Sequence, residues 1–194
     1  TTPRSALAIG AHPDDVEFGC GGTLAKWAAD GCVVHHLVLT DGSKGTWNPD
    51  ADTAALARTR QTEQREAARR LAGERAGTVV FLEQIDGELD STLALRGEVA
   101  RVIRELRPQV VLGHDPWKRY RLHPDHRAAG FLLTDSIVAA RDPHFFRHHF
   151  DLTDLQTGQP LTHHRPSALF TWEADMPNHA EDVTSTIDTK LHAL

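Results

Sequence analysis

Short apolar runs alternate along the chain with longer stretches in which apolar residues recur with helical periodicity. Short runs rich in Val, Leu and Ile are typical of buried strands, and the longer stretches are typical of amphipathic helices. The predicted strands are residues 7–11, 33–40, 79–82, 110–113 and 168–172. Strands that alternate with helices predict an α/β fold with a mainly parallel sheet.

The helix before the fourth predicted strand has the clearest pattern. Val99, Val102, Ile103 and Leu106 follow the spacing i, i+3, i+4, i+7, and Pro108 ends the helix. Further helices are predicted over residues 54–71, from 124 onward and over 184–194, whereas residues 142–166 show no period and are predicted to form a long irregular loop.

Chemistry-bearing residues are concentrated where the first predicted strand ends. His12, Pro13, Asp14 and Asp15 follow that strand directly. Parallel α/β sheets bind ligands beyond the carboxyl ends of their strands. Because His and Asp side chains are costly to bury unpaired, this cluster indicates a cation or a polar partner.

A second cluster, His123-Pro124-Asp125-His126, lies after the fourth predicted strand and repeats the His-Pro-Asp order. Pro124 suits the first turn of a helix, which places His126 in that turn. His126 shares a helical face with Leu133 and Ile137, so its ring is predicted to point inward. Such a ring is either a metal ligand or a hydrogen-bonded core residue.

Together the two clusters supply the ligands that zinc favours. Two imidazoles and one carboxylate, from His12, His126 and Asp15, leave a fourth position open for water. Asp14 lies beside a ligand and is free to act as the general base. His123 is then left near the metal and is able to carry a positive charge. The alternative is that both clusters are only turns, with Asp and Pro as helix starters.

The glycines that follow the first cluster allow a second interpretation. Gly19, Gly21 and Gly22 predict a tight turn before a helix that begins near Thr23. They also suggest a non-enzyme alternative, a nucleotide-binding module. The preceding His and two Asp argue against it, because negative charge there repels a pyrophosphate.

Composition narrows the class of protein. The chain has 194 residues, 40% hydrophobic and 25% charged, and is expected to be one domain over 1–194 with a C-terminal part that is truncated or processed. No apolar run approaches the roughly 20 residues of a membrane span, and the two cysteines suggest neither a disulfide framework nor a metal motif. A cytoplasmic protein is expected. The net charge of −6 without a basic block argues against a nucleic-acid partner.

Several motifs of the sequence resemble those of a known family. AHPDDVEFGCGG and the later HPDH are similar to motifs of the PIG-L/LmbE-like zinc-dependent N-deacetylases, as are LTDG at 39–42, Arg60-x-x-Glu63, Asp86-Gly87 and the final DVTSTIDTKLHAL. The resemblance implies a Rossmann-like three-layer fold with the metal site at the carboxyl ends of the strands. It also implies hydrolysis of a linear amide C–N bond in an N-acetylglucosamine-like conjugate, in a secondary-metabolite or thiol pathway.

Carried over by motif position, the resemblance makes His12, Asp15 and His126 the Zn²⁺ ligands, Asp14 the base and His123 the electrophilic partner. Some members have a Tyr two residues before His123 that assists the oxyanion. Here that position is Arg121, and Tyr120 lies one step further away, so the resemblance leaves open which residue has this role.

Four further residues are candidates for substrate binding. Arg60 lies on the predicted inner face of its helix with Glu63, either in a salt bridge or loop tether or in contact with substrate. Asp41 and Asp86 follow the second and third predicted strands, and Trp117 could form an apolar wall for a sugar ring. Cys20 is expected to be a packing residue, and the remaining histidines, including His35, His36 and His149, are expected at the surface or in loops.

The favoured function is therefore a zinc-dependent N-deacetylase that acts on a small N-acyl amino-sugar-like compound. One alternative is a related zinc amidase that cleaves a larger acyl group from a thiol conjugate or an antibiotic intermediate. Another is a catalytically silent binding subunit. The oligomeric state is left open, and a homo-oligomer is compatible with the sequence.

Overall fold

A parallel sheet forms the centre of the computed structural model, which describes residues 2–119, 121–154 and 157–194. The strands are β1 (Ser5–Gly10), β2 (Val33–Thr40), β3 (Ala76–Gln84), β4 (Val110–His114) and β5 (Ala168–Trp172). They lie in the order β3-β2-β1-β4-β5, and every neighbouring pair is parallel. The predicted strands and the predicted fold class are confirmed.

Helices cover both faces of the sheet. They are α1 (Asp15–Ala29), α2 (Thr53–Ala72), α3 (Leu93–Leu106), α4 (Pro124–Arg141) and α5 (Ile187–Ala193). Helices α1, α2 and α5 pack on one face, and α3 and α4 pack on the other. Among the described residues, no helix has the length and hydropathy that crossing a membrane requires.

Side chains along β1 point alternately to the two faces of the sheet, and each face has its own hydrophobic core. Leu7 and Ile9 pack toward α3 and α4, whereas Ala6 and Ala8 pack toward α1. Strands covered on both faces have no exposed side, so a polar residue there is buried too. For this reason the prediction that His35 and His36 lie at the surface is wrong: they are 8% and 0% exposed.

Helix α1 begins at Asp15, well before the predicted start near Thr23. Gly19, Gly21 and Gly22 therefore lie inside the helix, and the predicted glycine turn is wrong. A Cβ at Gly19 would come within 2.5 Å of the Trp172 ring. The absence of side chains thus lets α1 pack closely against its neighbours, which offsets the poor helix propensity of glycine.

The described residues of segment 142–166 are irregular, as predicted, apart from a 3-10 turn at Arg147–Asp151. It is organised by Arg104 of α3, which is fully buried. The guanidinium donates hydrogen bonds to five backbone carbonyls and to His149 Nδ1; the carbonyls belong to Ala139, Ala140, Asp142, Phe145 and Phe146. His149 lies in this irregular segment, as the loop alternative predicted, but it is only 2% exposed and is therefore not a surface residue.

Replacing Arg104 by Met should lower the free energy of unfolding by about 3–5 kcal/mol, because several buried carbonyls lose their donor. Arg101→Met is the matched control, since Arg101 lies on the same helix and pairs at the partly exposed surface with Glu98 and Glu105. That change should cost less than about 1 kcal/mol. Urea unfolding of both variants measures the difference, and equal losses would contradict a special role for Arg104.

The connectivity creates the crevice that holds the site. The chain runs from β1 outward through β2 and β3, then returns to β4 on the other side of β1 and continues to β5. The carboxyl ends of β1 and β4 are therefore adjacent where the strand order reverses, which is where open α/β sheets bind ligands. The two His-Pro-Asp clusters follow these two strands.

Candidate metal centre

Three side chains converge at this crevice. His12 follows β1, Asp15 begins α1, and His126 lies in the first turn of α4. His126 Nε2 lies 3.2 Å from His12 Nδ1 and 3.1 Å from Asp15 Oδ1, and His12 Nδ1 lies 3.3 Å from Asp15 Oδ2. Zinc bonds of about 2.1 Å at tetrahedral angles place ligand atoms roughly 3.4 Å apart. The donor set and its spacing fit one zinc-sized ion.

Two buried carboxylates orient the His12 ring. His12 Nε2 lies 3.1 Å from Asp125 Oδ2 and 3.2 Å from Asp86 Oδ1. They favour a hydrogen on Nε2 and leave the lone pair on Nδ1, as is usual for metal-binding histidines. Burial lowers the pKa of His12, but the hydrogen bond and charge of Asp15, with Asp86 and Asp125, outweigh it and raise the pKa. This concentration of carboxylates favours a cation.

Asp15 is held in its ionised form by the imidazoles around it. Burial raises its pKa, but contacts with His114, His12 and His126 outweigh burial and hold the pKa well below its usual value. His114 Nδ1 accepts a hydrogen bond from Trp172 Nε1 at 3.1 Å. The neutral His114 ring therefore carries its hydrogen on Nε2, 3.2 Å from Asp15 Oδ2. The contact with Asp15 lacks the geometry of a hydrogen bond and is electrostatic, and with its hydrogen on Nε2 the ring offers no lone pair to a metal on that side.

The described residues contain three overlapping groupings whose ligand atoms lie within 4.8 Å of one another and could hold a metal ion. They are His12–His123–His126, Asp15–His114–His126 and His12–Asp86–Asp125. His126 belongs to two of them. His12, Asp15 and His126 each belong to one or two of these groupings and also lie 3.1–3.3 Å from one another through the two Asp15 oxygens, so metal binding by this trio stays the prediction.

Asp14 lies beside the ligand cluster in a strained backbone conformation. Its φ is 102°, and its side chain makes no capping bond at the start of α1. The half-exposed carboxylate accepts a hydrogen bond from Arg60 Nη2 at 2.8 Å. Burial raises the pKa of Asp14, and the positive charge of Arg60 only partly opposes this, so the pKa is raised overall.

His123 stands at the exposed side of the cluster. Its ring centroid lies 4.5 Å from that of His12 and 4.9 Å from that of His126. The ring caps α4, with Nδ1 accepting the Asp125 N–H at 3.3 Å, so a neutral ring carries its hydrogen on Nε2. Burial, together with His12 and His126, lowers the pKa of His123. The positive charge expected for His123 from the sequence stays a prediction.

Two of the residues predicted to contact substrate, Asp41 and Asp86, form hydrogen bonds that join neighbouring loops. Asp41 Oδ1 accepts the backbone N–H groups of Ser43 and Asp86, at 3.0 and 3.1 Å. Asp86 is 5% exposed, and its Oδ2 accepts the Lys44 N–H at 3.0 Å. Both carboxylates thus shape the loops after β2 and β3. Their contact with a substrate stays a prediction.

The other two substrate candidates differ in exposure. Trp117 is 68% exposed and touches Phe131 edge-on, so one side of the indole is open to solvent. Arg60 is half-buried, and it donates to the carbonyls of Pro13 and Gly42 as well as to Asp14. The loop tether considered for Arg60 is therefore present. Glu63 is exposed, so its predicted place on the inner helix face is wrong.

The segment before His123 is fixed by Arg121. Its Nη1 donates to Glu173 Oε2 at 2.7 Å, and its Nη2 donates to the Asp115 carbonyl at 3.2 Å. These bonds join the loop after β4 to the end of β5. Tyr120, the aromatic residue considered for the oxyanion, lies outside the described residues.

Comparison with known proteins places this geometry in a family. The family described as PIG-L, GlcNAc-PI de-N-acetylase, matches residues 7–137. The chain belongs to the PIG-L family. The resemblance seen in the sequence motifs is confirmed, and the match includes the candidate ligands together with Asp14 and His123.

Two relatives that match much of this chain are deacetylases. The diacetylchitobiose deacetylase of Thermococcus kodakarensis is 37% identical over 191 residues, which are 98% of this chain and 68% of the relative. The 1D-myo-inositol 2-acetamido-2-deoxy-alpha-D-glucopyranoside deacetylase of Rhodococcus jostii is 34% identical over 167 residues, 71% of this chain and 54% of the relative. The chain thus spans about two thirds of the first relative and about half of the second.

A solved deacetylase structure shares the fold of this chain. The N,N'-diacetylchitobiose deacetylase from Pyrococcus horikoshii superposes with a TM-score of 0.87 and 31% identity, covering 98% of this chain and 68% of that one. The superposition therefore covers nearly all of this chain and about two thirds of the neighbour.

Three buried polar residues around the centre were not assigned a role from the sequence. Asp125 is fully buried and also accepts the Gly87 N–H at 2.7 Å. His114 ends β4, and Gln64 contacts Asp14 from α2. Asp125 could have been found as the carboxylate between two candidate histidines. Nothing in the local pattern around His114 or Gln64 indicates the contacts that they make.

Proposed function

We propose that the chain hydrolyses the N-acetyl amide of an N-acetylglucosamine-like conjugate, with a zinc ion held by His12, Asp15 and His126. The observation that carries the proposal is the mutual spacing of 3.1–3.3 Å among the three ligand groups, with the Asp14 carboxylate next to them in the chain. The deacetylase relatives support the reaction and the substrate class.

When bound, zinc supplies Lewis acidity, which polarises a carbonyl oxygen and acidifies water. The chain provides the orientation that this chemistry needs. Asp125 and Asp86 keep the His12 lone pair on Nδ1, and His114 braces Asp15. The donor set of two imidazoles and one carboxylate leaves room for water and substrate at a zinc centre.

Asp14 is the proposed general base. Its carboxylate accepts a proton from water as the water oxygen attacks the acyl carbon. A pKa raised by burial brings this base closer to neutral pH, where proton transfer is more effective. The same proton is then available to the amine nitrogen as the amide C–N bond breaks, which yields acetate and a free amine.

His123 is the proposed donor to the oxyanion. Its Nδ1 is occupied by the Asp125 N–H, so the hydrogen on Nε2 is free to bond the developing negative charge. A neutral imidazole suffices for this role. Removing one such donor typically costs about 3 kcal/mol of transition-state stabilisation.

Substrate contacts are proposed on the loops around the crevice. Trp117 offers an exposed aromatic face on which an apolar sugar face can pack. Arg60, Asp41 and Asp86 are proposed to contact sugar hydroxyls. Arg60 would do so through guanidinium N–H groups that its bonds to the loops do not use. A small hydroxyl-rich compound fits these groups better than a polymer of high charge.

A side-by-side assay tests the substrate class. We expect acetate release from N,N'-diacetylchitobiose, N-acetylglucosamine or its glycosides. For N-acyl glucosamines with long chains we expect kcat/KM to be at least ~10-fold lower, which corresponds to about 1.4 kcal/mol of transition-state free energy. Free amine and free acid are measured together in each reaction, so that one amide hydrolysed gives one of each.

Chelation provides the control for this assay. Activity should disappear after treatment with a chelator and return on addition of zinc. Efficient hydrolysis of the long-chain compounds alone would defeat the deacetylase assignment and support the amidase alternative. Binding of the sugars without hydrolysis by the zinc-loaded protein would support the silent binding subunit.

A further inference from the structure

The peptide unit between Pro13 and Asp14 is held at both of its polar atoms by one helix. The Pro13 carbonyl accepts a hydrogen bond from Arg60 Nη2, and the Asp14 N–H donates to Gln64 Oε1 at 2.9 Å. Arg60 and Gln64 are four residues apart on α2 and so lie on the same face. The orientation of this peptide plane is therefore fixed from outside the turn that contains it.

The backbone at Asp14 needs such support. A φ of 102° at a residue with a side chain is sparsely populated and persists only where surrounding contacts over-determine it. The Asp14 side chain does not stabilise this conformation through a cap at the start of α1. The conformation is thus held by backbone contacts, while the carboxylate projects from the turn next to the ligands His12 and Asp15.

The Gln64 amide has a single orientation. Gln64 is 2% exposed, and its Nε2 donates to Glu17 Oε1 at 2.7 Å and lies 3.1 Å from His36 Nδ1. Burial lowers the pKa of His36 to about 4, so the ring is neutral and Nδ1 can accept. Because the Asp14 N–H can be accepted only by the amide oxygen, a flipped amide would place two donors together.

We propose that Gln64, oriented by Glu17 and His36, is a positioning residue that fixes the backbone of Asp14 and so aims its carboxylate for catalysis. This inference rests on the proposed role of Asp14 as the base. Gln64 is the sharper of the two α2 contacts to test. Gln64 bonds the backbone of Asp14 and not its carboxylate, whereas Arg60 also pairs with the Asp14 carboxylate.

Gln64→Met removes both polar ends of the side chain and keeps its length. We expect kcat to fall roughly 10- to 100-fold, because a misplacement of about 1 Å can cost 10²-fold. KM and zinc stoichiometry should stay near the wild-type values. Hydrogen exchange of the Asp14 amide, followed by NMR, should become at least ~10-fold faster once its acceptor is gone. Gln61→Met is the control, since Gln61 lies on the same helix but bonds Glu83 of β3 instead of Asp14.

A double variant in which Gln64 and Glu17 exchange residue types tests the same role if Gln64→Met does not fold. Gln64→Glu alone places two carboxylates together at the 2.7 Å contact with Glu17 and should lose kcat. Adding Glu17→Gln restores a donor at that contact and an acceptor for the Asp14 N–H, so kcat should recover most of the loss. No recovery by the double variant would overturn the inference.

Failure of the inference can be separated from failure of the proposed function. If the wild type releases no acetate, or Asp14→Asn is as active as the wild type, the base assignment fails. If both controls behave as expected but folded Gln64→Met keeps kcat within about threefold of wild type, the positioning role fails. Unchanged exchange of the Asp14 amide would also overturn it.

Discussion

Asp14→Asn is expected to lower kcat by about 10²- to 10⁴-fold, the usual contribution of a general base, while the protein keeps its zinc. The amide cannot take a proton from water, yet it has nearly the shape of the carboxylate. Its oxygen can still accept the hydrogen bond from Arg60 that Asp14 accepts at 2.8 Å. The loss should therefore report proton transfer rather than collapse of the turn.

The pH profile gives an independent measurement of the same role. Asp14 must be ionised to accept a proton, so wild-type kcat/KM should fall as the pH drops through its pKa, which burial raises above the usual value. The residual activity of Asp14→Asn should lack this acidic limb. Asp52→Asn, at the exposed cap of α2, should change neither quantity. Turnover near the wild-type level in Asp14→Asn would move the search for the base to His123.

Much of the site could be predicted because it depends on strand ends. Once β1 and β4 are recognised as parallel strands, the residues that follow them must meet at one edge of the sheet. His12, Asp15 and His126 follow from this rule and from the preference of zinc for mixed nitrogen and oxygen ligands. The positions of Asp14 and His123 follow from the same two clusters.

The supporting contacts could not be predicted because they depend on the packing of α2 and β2. The sequence pattern placed Glu63 on the inner face of α2, whereas the buried residue is its neighbour Gln64. The contact between Gln64 and Asp14 was therefore not predicted. The burial of His36 could not be predicted from alternation of polar and apolar residues, since β2 is buried on both faces. The start of α1 was missed because glycines signal turns locally, whereas here they permit tight packing in a helix.

His126→Ala is expected to weaken zinc binding by more than about 100-fold, since even changes to residues that only support a ligand cost 10- to 100-fold. Deacetylation should fall to background with it. The side chain is 25% exposed and lies at the edge of the crevice, so its removal leaves little buried space and the fold should persist. Metal analysis after dialysis, with circular dichroism for folding, measures both expectations.

Three companion variants assign the metal to one grouping. His144→Ala, at an exposed position of segment 142–166, should leave zinc content unchanged. His123→Ala should also keep its zinc and lose activity, which separates the oxyanion donor from the ligands. His114→Ala should retain zinc with lower affinity, because Asp15 loses its brace. Stoichiometric metal in His126→Ala would instead place the ion between His12, Asp86 and Asp125, the one grouping described in the structure that does not contain His126.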